Sequence, residues 1–153
     1  MNTLSMDSPI GLLTIVGTNE AITSIRFGEV GYAFNPSPLL LRAVSELREY
    51  FDGKRREFDL PLAPEGTDFQ KRVWEELCKI PYGETRSYGE IAAALGNTRA
   101  ARAVGLANNK NPIPIIVPCH RVIGADGALV GYAGGVEAKD FLLKLEKKHK
   151  KRK

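Results

Sequence analysis

The spacing of apolar positions changes character along the chain. From residue 2 to 28 it is short and strand-like. The segments "LLTIVGT" and "AITSIRFG" are rich in β-branched residues and are separated by the turn-like Asn19-Glu20. Before them, "NTLSMDSPIG" reads as a first strand closed by a Pro-Gly turn. At "PLLLRAVSELREYF" the period becomes helical. Leu40, Leu41, Val44, Leu47 and Phe51 recur on one face, and Asp52-Gly53 supplies the stop. Residues 53–66, "GKRREFDLPLAPEG", keep neither period and hold two prolines. They predict a boundary between an N-terminal subdomain, 1–66, and a C-terminal domain, 67–146.

Beyond residue 66 the helical period dominates. Thr67 or Asp68 can cap "FQKRVWEELCKI", whose inward stripe is Phe69, Val73, Leu77 and Ile80, with Cys78 as a packing residue at its edge. Ser87 and Glu90 match a capping box that opens "YGEIAAALG". Gly96-Asn97 ends that helix, and Thr98 can cap "RAARAVGLANN". Two short helices joined by a tight glycine turn form a helix-turn-helix pattern. The second helix is rich in alanine, and such small residues let a backbone approach a groove closely. "ALVGYAGG" then reads as a short strand entering a glycine-rich loop. A final helix, "VEAKDFLLKLEKK", carries Ala138, Phe141, Leu142 and Leu145 as its apolar stripe, with Glu146 at the edge.

Charge sharpens this picture. The chain has a formal net charge of +4, but residues 147–153, "KKHKKRK", hold six basic residues and no acid, so the remaining body is net −2. The tail reads as a solvated end able to hold phosphates weakly. Residues 86–110 are different, because Arg86, Arg99, Arg102 and Lys110 face only Glu90 as an acid. That local balance suits a nucleic acid. No apolar run approaches the length of a bilayer span, and the N-terminus lacks a basic-then-apolar leader, which places the protein in the cytoplasm, or in a nucleus if the source has one. Cys78 and Cys119 are expected as free thiols in that reducing compartment. With His120 and His149 they make no zinc-ligand spacing, so neither metal nor cofactor is expected.

The chemistry concentrates in "NPIPIIVPCHRVIG", residues 111–124. Cys119 and His120 are adjacent, so their side chains diverge on a regular strand or helix. The pair must sit where the chain turns, or communicate through a water. A thiol becomes a good nucleophile only as thiolate, and a histidine oriented by a carboxylate can take its proton. Glu146, Asp126 and Glu137 are the candidate carboxylates. A core thiol beside a surface imidazole is the structural alternative.

This stretch closely resembles the active-site signature of the O6-alkylguanine-DNA alkyltransferases, whose core is Pro-Cys-His-Arg-Val. The resemblance extends from "FQKRVWEELCKIPYGETRSYGEIAAALGN" through "RAARAVGLANNKNPIPIIVPCHRV" to "GYAGGVEAKDFLLKLE", in family order. It implies an α+β fold: a small N-terminal antiparallel sheet plus helix, ribonuclease-H-like, and a mostly helical, winged helix-turn-helix-like C-terminal domain. It also implies stoichiometric transfer of an alkyl group from O6-alkylguanine, and from O4-alkylthymine, in flipped-out bases of double-stranded DNA, read from the minor groove by a monomer.

By the same resemblance Cys119 is the acceptor and His120 its base through a water. Glu146 orients His120, Asn111 braces the turn, and Tyr88 assists flipping and polarises the base. Arg102 is the finger that fills the gap, with Arg99, Thr98, Ser87 and Arg121 as further DNA contacts. Val122, Tyr132, Ala133, Gly134 and Lys139 line the pocket, with the carbonyls of Cys119 and Val122 accepting from the guanine amine. Family members often have serine at the position of Ala133, so a hydroxyl contact is lost here. Three other classes fit parts of the pattern. A lesion sensor of this family would lack Cys119, a helix-turn-helix regulator would not need the extended match, and a cysteine hydrolase would need an oxyanion site and turnover.

Overall fold

A computed structural model describes residues 2–28, 36–129, 132 and 134–150. The chain divides into two compact units, 1–65 and 66–153.

In the first unit, β1 (Asn2–Met6), β2 (Leu13–Gly17) and β3 (Ile22–Phe27) form an antiparallel sheet in chain order. Register runs from Asn2 opposite Gly17 to Met6 opposite Leu13, and from Leu13 opposite Phe27 to Gly17 opposite Ile22, with an irregularity at Val16/Gly17. All five residues of β2 are buried. Thr14, polar within that strand, is satisfied: its hydroxyl donates to the Gly28 carbonyl at 2.9 Å and lies 2.9 Å from Ser5 Oγ.

Helix α1 (Pro38–Phe51) packs on β1 and β2. Its entry is specified locally, since Ser37 Oγ accepts from the Leu40 amide at 3.2 Å and Pro38 needs no donor in the first turn. The buried face is Leu39, Leu40, Ala43, Val44, Leu47 and Tyr50. Leu41 departs from the expected stripe, at 55% exposed. Leu40, Val44 and Leu47 already fill the arc, and a residue one step from Leu40 is rotated away by about 100°. Glu46, buried on the same helix, accepts from the Asp59 amide at 3.0 Å and from Arg42 Nε at 3.3 Å. That carboxylate ties the irregular connector back to α1. The connector also adds a bridge to β3, where Ile22 N donates to Pro61 O and Ala63 N to Ile22 O.

The second unit contains α2 (Asp68–Leu77), β4 (Arg86–Ser87), α3 (Tyr88–Ala94), α4 (Ala101–Asn109), a 3-10 turn (Cys119–Arg121), β5 (Val122–Ile123) and α5 (Val136–His149). Capping boxes open α2 (Thr67 with Gln70) and α3 (Ser87 with Glu90). The turn between α3 and α4 passes through Gly96 at φ +84°, a left-handed conformation that glycine adopts without a Cβ clash. Helix α4 packs against α2 and α3, and Trp74 Nε1 donates to the Ala107 carbonyl at 2.9 Å.

Several expectations are corrected here. Thr98 does not cap α4: the helix begins later, with Ala100 at the cap position and no side-chain bond. Cys78 is exposed and caps the C-terminus of α2, because Val73, Trp74 and Leu77 take the inner face. Residues 128 and 129 are not strand, while 130, 131 and 133 lie outside the described residues. Earlier in the chain a two-residue strand, β5, runs parallel to β4, with Arg86 opposite Val122 and Ser87 opposite Ile123. The basic tail does not start as a solvated end. Lys147–His149 complete the last turn of α5, and His149 is buried with Nδ1 2.9 Å from the Leu145 carbonyl. No helix among the described residues is long and apolar enough to cross a membrane.

Candidate active site

The apolar run before Cys119 is neither strand nor helix. It folds back on itself, with Val117 N donating to Ile113 O at 3.0 Å and Ile116 N to Pro114 O at 2.9 Å. Within it Ile115 has φ +74°, which a β-branched residue adopts at a cost of about 1–3 kcal/mol. Asn111 holds this turn from inside. Its Nδ2 donates to Val117 O at 2.9 Å, and its Oδ1 accepts from Ile113 N at 3.0 Å. Cys119 then starts the 3-10 turn, with its amide donating to Val117 O at 2.7 Å. This is why neighbouring residues can share one site: the chain turns at Cys119 and swings His120 and Arg121 inward.

Glu146 collects that turn from α5. It is fully buried (0% exposed), not at the edge of the stripe as the apolar spacing suggested. The inner face of α5 is Ala138, Lys139, Leu142, Glu146 and His149, whereas Phe141 is 37% exposed. Glu146 Oε2 lies 2.6 Å from His120 Nε2. Arg121 donates through Nε to Oε1 at 2.8 Å and through a terminal nitrogen to Oε2 at 3.0 Å, and the Gly83 amide reaches Oε1 at 3.2 Å. Arg121 also donates to the Ile80 carbonyl at 2.8 Å and stacks 5.7 Å from the centroid of Tyr82.

Burial alone would raise the Glu146 pKa. The hydrogen bonds and charges of His120 and Arg121 outweigh it and hold the carboxyl well below the usual carboxylate range. An ionised carboxylate only accepts, so the proton of the His120–Glu146 bond belongs to Nε2. Burial lowers the His120 pKa more than Glu146 restores it, with Arg121 and Lys139 adding to the lowering, so the ring is neutral near pH 7 and Nδ1 is its basic nitrogen.

Cys119 is 4% exposed, and burial pushes its thiol up to about 11, against a hydrogen bond from Asn111 and the nearby Lys139 ammonium, which both favour thiolate. The resting site is therefore a thiol beside a neutral imidazole, with Arg121 balancing Glu146.

Of the other predicted residues, Tyr88, Tyr132 and Lys139 lie near enough to Cys119 to feel its charge. Tyr88 opens α3, half-buried, with its phenol pKa raised by burial and by the Cys119 charge. Tyr132 is buried and shifted further for the same reasons, Glu146 adding to them. Lys139 is fully buried and its Nζ donates to the Val122 carbonyl at 2.5 Å. Gly134 is half-buried in the turn before α5, and Ala133 lies outside the described residues. Ser87 spends its hydroxyl on the Glu90 amide at 3.1 Å. Arg99, Thr98 and Arg102 are exposed on the helix-turn-helix.

Arg121 is the clear correction. It was expected at the DNA, but its guanidinium is buried and bound to Glu146 and Ile80, because a buried carboxylate needs a fixed counter-charge. Asn108 was missed altogether. Buried on α4, it donates to the Cys119 carbonyl at 3.4 Å, and its only sequence signal was falling one turn after Val104 on the inner face. Among the described residues no cluster of three or more His, Cys, Asp or Glu side chains is placed to hold a metal ion.

Each unit matches known proteins over most of its length. Residues 68–148 match the family described as 6-O-methylguanine DNA methyltransferase, DNA binding domain, and residues 3–64 match its ribonuclease-like domain. The chain belongs to the 6-O-methylguanine DNA methyltransferase family. A methylated-DNA–protein-cysteine methyltransferase of Methanosarcina barkeri is 53% identical over 148 residues, covering 92% of this chain and 94% of its own length. That of Mycobacterium bovis is 55% identical over 149 residues, covering 94% and 90%. The crystal structure of Mycobacterium tuberculosis OGT in complex with DNA superposes with a TM-score of 0.91 at 51% identity, covering 97% of this chain and 94% of that one. As a member of this methyltransferase family the chain acts on methylated DNA with a protein cysteine as acceptor. Of its two cysteines, only Cys119 is buried beside a histidine–carboxylate pair.

Proposed function

We propose that Cys119 is the acceptor and that the protein repairs DNA by one displacement per molecule, on O6-alkylguanine and also on O4-alkylthymine. The observation that carries this reading is the buried Cys119 turn joined to the His120–Glu146–Arg121 network. As the substrate enters, the thiol proton passes through a water to Nδ1 of His120. Glu146 stabilises the imidazolium through the Nε2–H bond. Sulfur attacks the alkyl carbon, the S–C bond forms and the C–O6 bond breaks. The electron pair goes to the guanine oxygen, where the neutral Tyr88 phenol donates. The product is a thioether, which thiols cannot exchange and water cannot hydrolyse as it would a thioester. The protein is consumed in the reaction.

An O6 group inside a duplex is out of reach of a buried sulfur, so the base must be extruded. Arg102, exposed on α4, fills the gap in this reading, and the small residues beside it suit the minor groove. Arg99, Thr98 and Ser87 border the same surface, while Tyr132, Gly134, Lys139 and the Val122 carbonyl form the pocket wall. The protein works as a monomer on double-stranded DNA, and its free thiols fit the cytoplasm. Intact mass after incubation with duplex DNA carrying O6-methylguanine tests the assignment. One methyl on the Cys119 peptide is expected, with a plateau at one equivalent. A methylated Cys119→Ser protein, or multiple turnovers, refutes it.

A further inference from the structure

We propose that Leu106 is an apolar wedge of α4 that enters the DNA minor groove beside Arg102, a role that rests on the repair reading above. Leu106 is 63% exposed, more than the other large apolar side chains that the described residues expose. At about 100° per residue, the exposed positions Arg102, Ala103, Leu106, Asn109 and Lys110 cover an arc of about 120° on α4, with Leu106 near its middle. The inner face is fully used by Val104, Ala107 and Asn108. Helix α4 thus needs no leucine there for packing, and an alanine or polar residue would be more soluble.

Charge identifies the occupant. Arg102 and Lys110 stand one turn before and one turn after Leu106, Arg99 precedes the helix, and no acidic residue lies between Glu90 and Asp126. A polyanion fits this surface, and residues 68–148 match a DNA binding domain. Leucine is among the side chains that minor-groove proteins insert against partly unstacked base steps. Opposite Leu106, Asn108 donates to the Cys119 carbonyl. A wedge on the outer face is therefore attached, through one helix, to the turn bearing the acceptor.

The test uses the full chain with Leu106→Ala and Leu106→Met. Affinity for duplex carrying O6-methylguanine is measured in a Cys119→Ser background across a salt series. Transfer rates with duplex and with the free alkylated base are measured in the Cys119 protein. Leu106→Ala should weaken duplex binding about tenfold, which is about 1.4 kcal/mol. Its salt slope should be unchanged, because an apolar contact releases no counterions. The free-base rate should stay at the parent value, and Leu106→Met should restore duplex affinity. Wild-type duplex affinity in Leu106→Ala, a reduced salt slope, or an equal loss on the free base overturns the wedge. Altered self-association at unaltered single-site affinity would place a second copy on Leu106 and also overturns it. A parent protein that takes no methyl from duplex DNA refutes the repair reading itself, whereas normal parent transfer with an indifferent Leu106→Ala refutes the wedge alone.

Discussion

Replacing Glu146 by glutamine should cost far more stability than an isosteric change normally does. The carboxylate accepts four bonds: from His120, from two nitrogens of Arg121 and from the Gly83 amide. Glutamine has one acceptor oxygen and one donor group. If its NH2 takes the Oε1 position it faces Arg121 Nε and the Gly83 N–H, and at the Oε2 position it faces His120 Nε2–H and the other Arg121 nitrogen. Either orientation sets donor against donor and leaves the Arg121 guanidinium buried without its counter-charge. Breaking a buried ion pair from one side costs about 3–5 kcal/mol. For a chain of this size that corresponds to a melting temperature lower by roughly 6–20 °C.

The double variant Glu146→Gln/Arg121→Met removes the buried charge and should recover most of that loss. Transfer should stay slow, because a neutral amide can hold the His120 tautomer but cannot balance the charge of its imidazolium. Urea unfolding followed by fluorescence of Trp74, run beside single-turnover transfer, separates the two effects. A Glu146→Gln protein within about 1 kcal/mol of the parent would refute the charge-balance reasoning. So would a double variant no more stable than the single one. A double variant that transfers at the parent rate would remove the carboxylate from the chemistry.

Other consequences can be checked separately. The Glu146 carboxyl has a depressed folded pKa, so its contribution is complete above the unfolded value of about 4.3 and is lost as pH falls through the folded one. The stability gap between the parent and Glu146→Gln should hold from pH 7 to about 5 and narrow below about 4.3; a constant gap down to pH 3 would contradict this. Since burial pushes the Cys119 thiol up to about 11, its carboxymethylation by iodoacetate should keep rising steeply from pH 8 to 10. Peptide mass spectrometry showing a plateau near the ordinary value of about 8.5 would refute the desolvated site. Asn111→Asp keeps an acceptor for the Ile113 amide but loses donation to Val117, and Asn111→Ala loses both. Losses of about 1 kcal/mol per bond or more should appear in urea melts of both variants, and parent-like stability of either would argue against bracing. Removing residues 151–153 should lower the salt slope of DNA binding without altering the melt, whereas cutting before Lys147 should also destabilise, because His149 is buried. A cut before Lys147 that leaves the melt unchanged would refute a structural end to α5.

What the sequence determined by itself is local. The bounds of α1, the capping box Ser87–Glu90 and the glycine turn at Gly96 depend on residues within one helical turn of each other, so spacing and side-chain type suffice to read them, whereas the cap of α2 stayed open between Thr67 and Asp68 until the structure gave it to Thr67. The Cys119–His120 pair was legible for the same reason: adjacency in sequence calls for a turn or a bridging water, and a 3-10 turn is there. The tertiary structure decided what faces what. Glu146 is separated from His120 by 26 positions and from Arg121 by 25, and nothing in the α5 pattern distinguishes a buried carboxylate from a solvated one at the stripe's edge. Only when α5 packs against the 3-10 turn does the charge of Arg121 make burial of Glu146 tolerable. The same packing turns Arg121, which the family resemblance put at the DNA, into the counter-ion of the site. Two-residue strands such as β4 and β5 are too short to carry a period, so their pairing exists only once the elements around them are assembled.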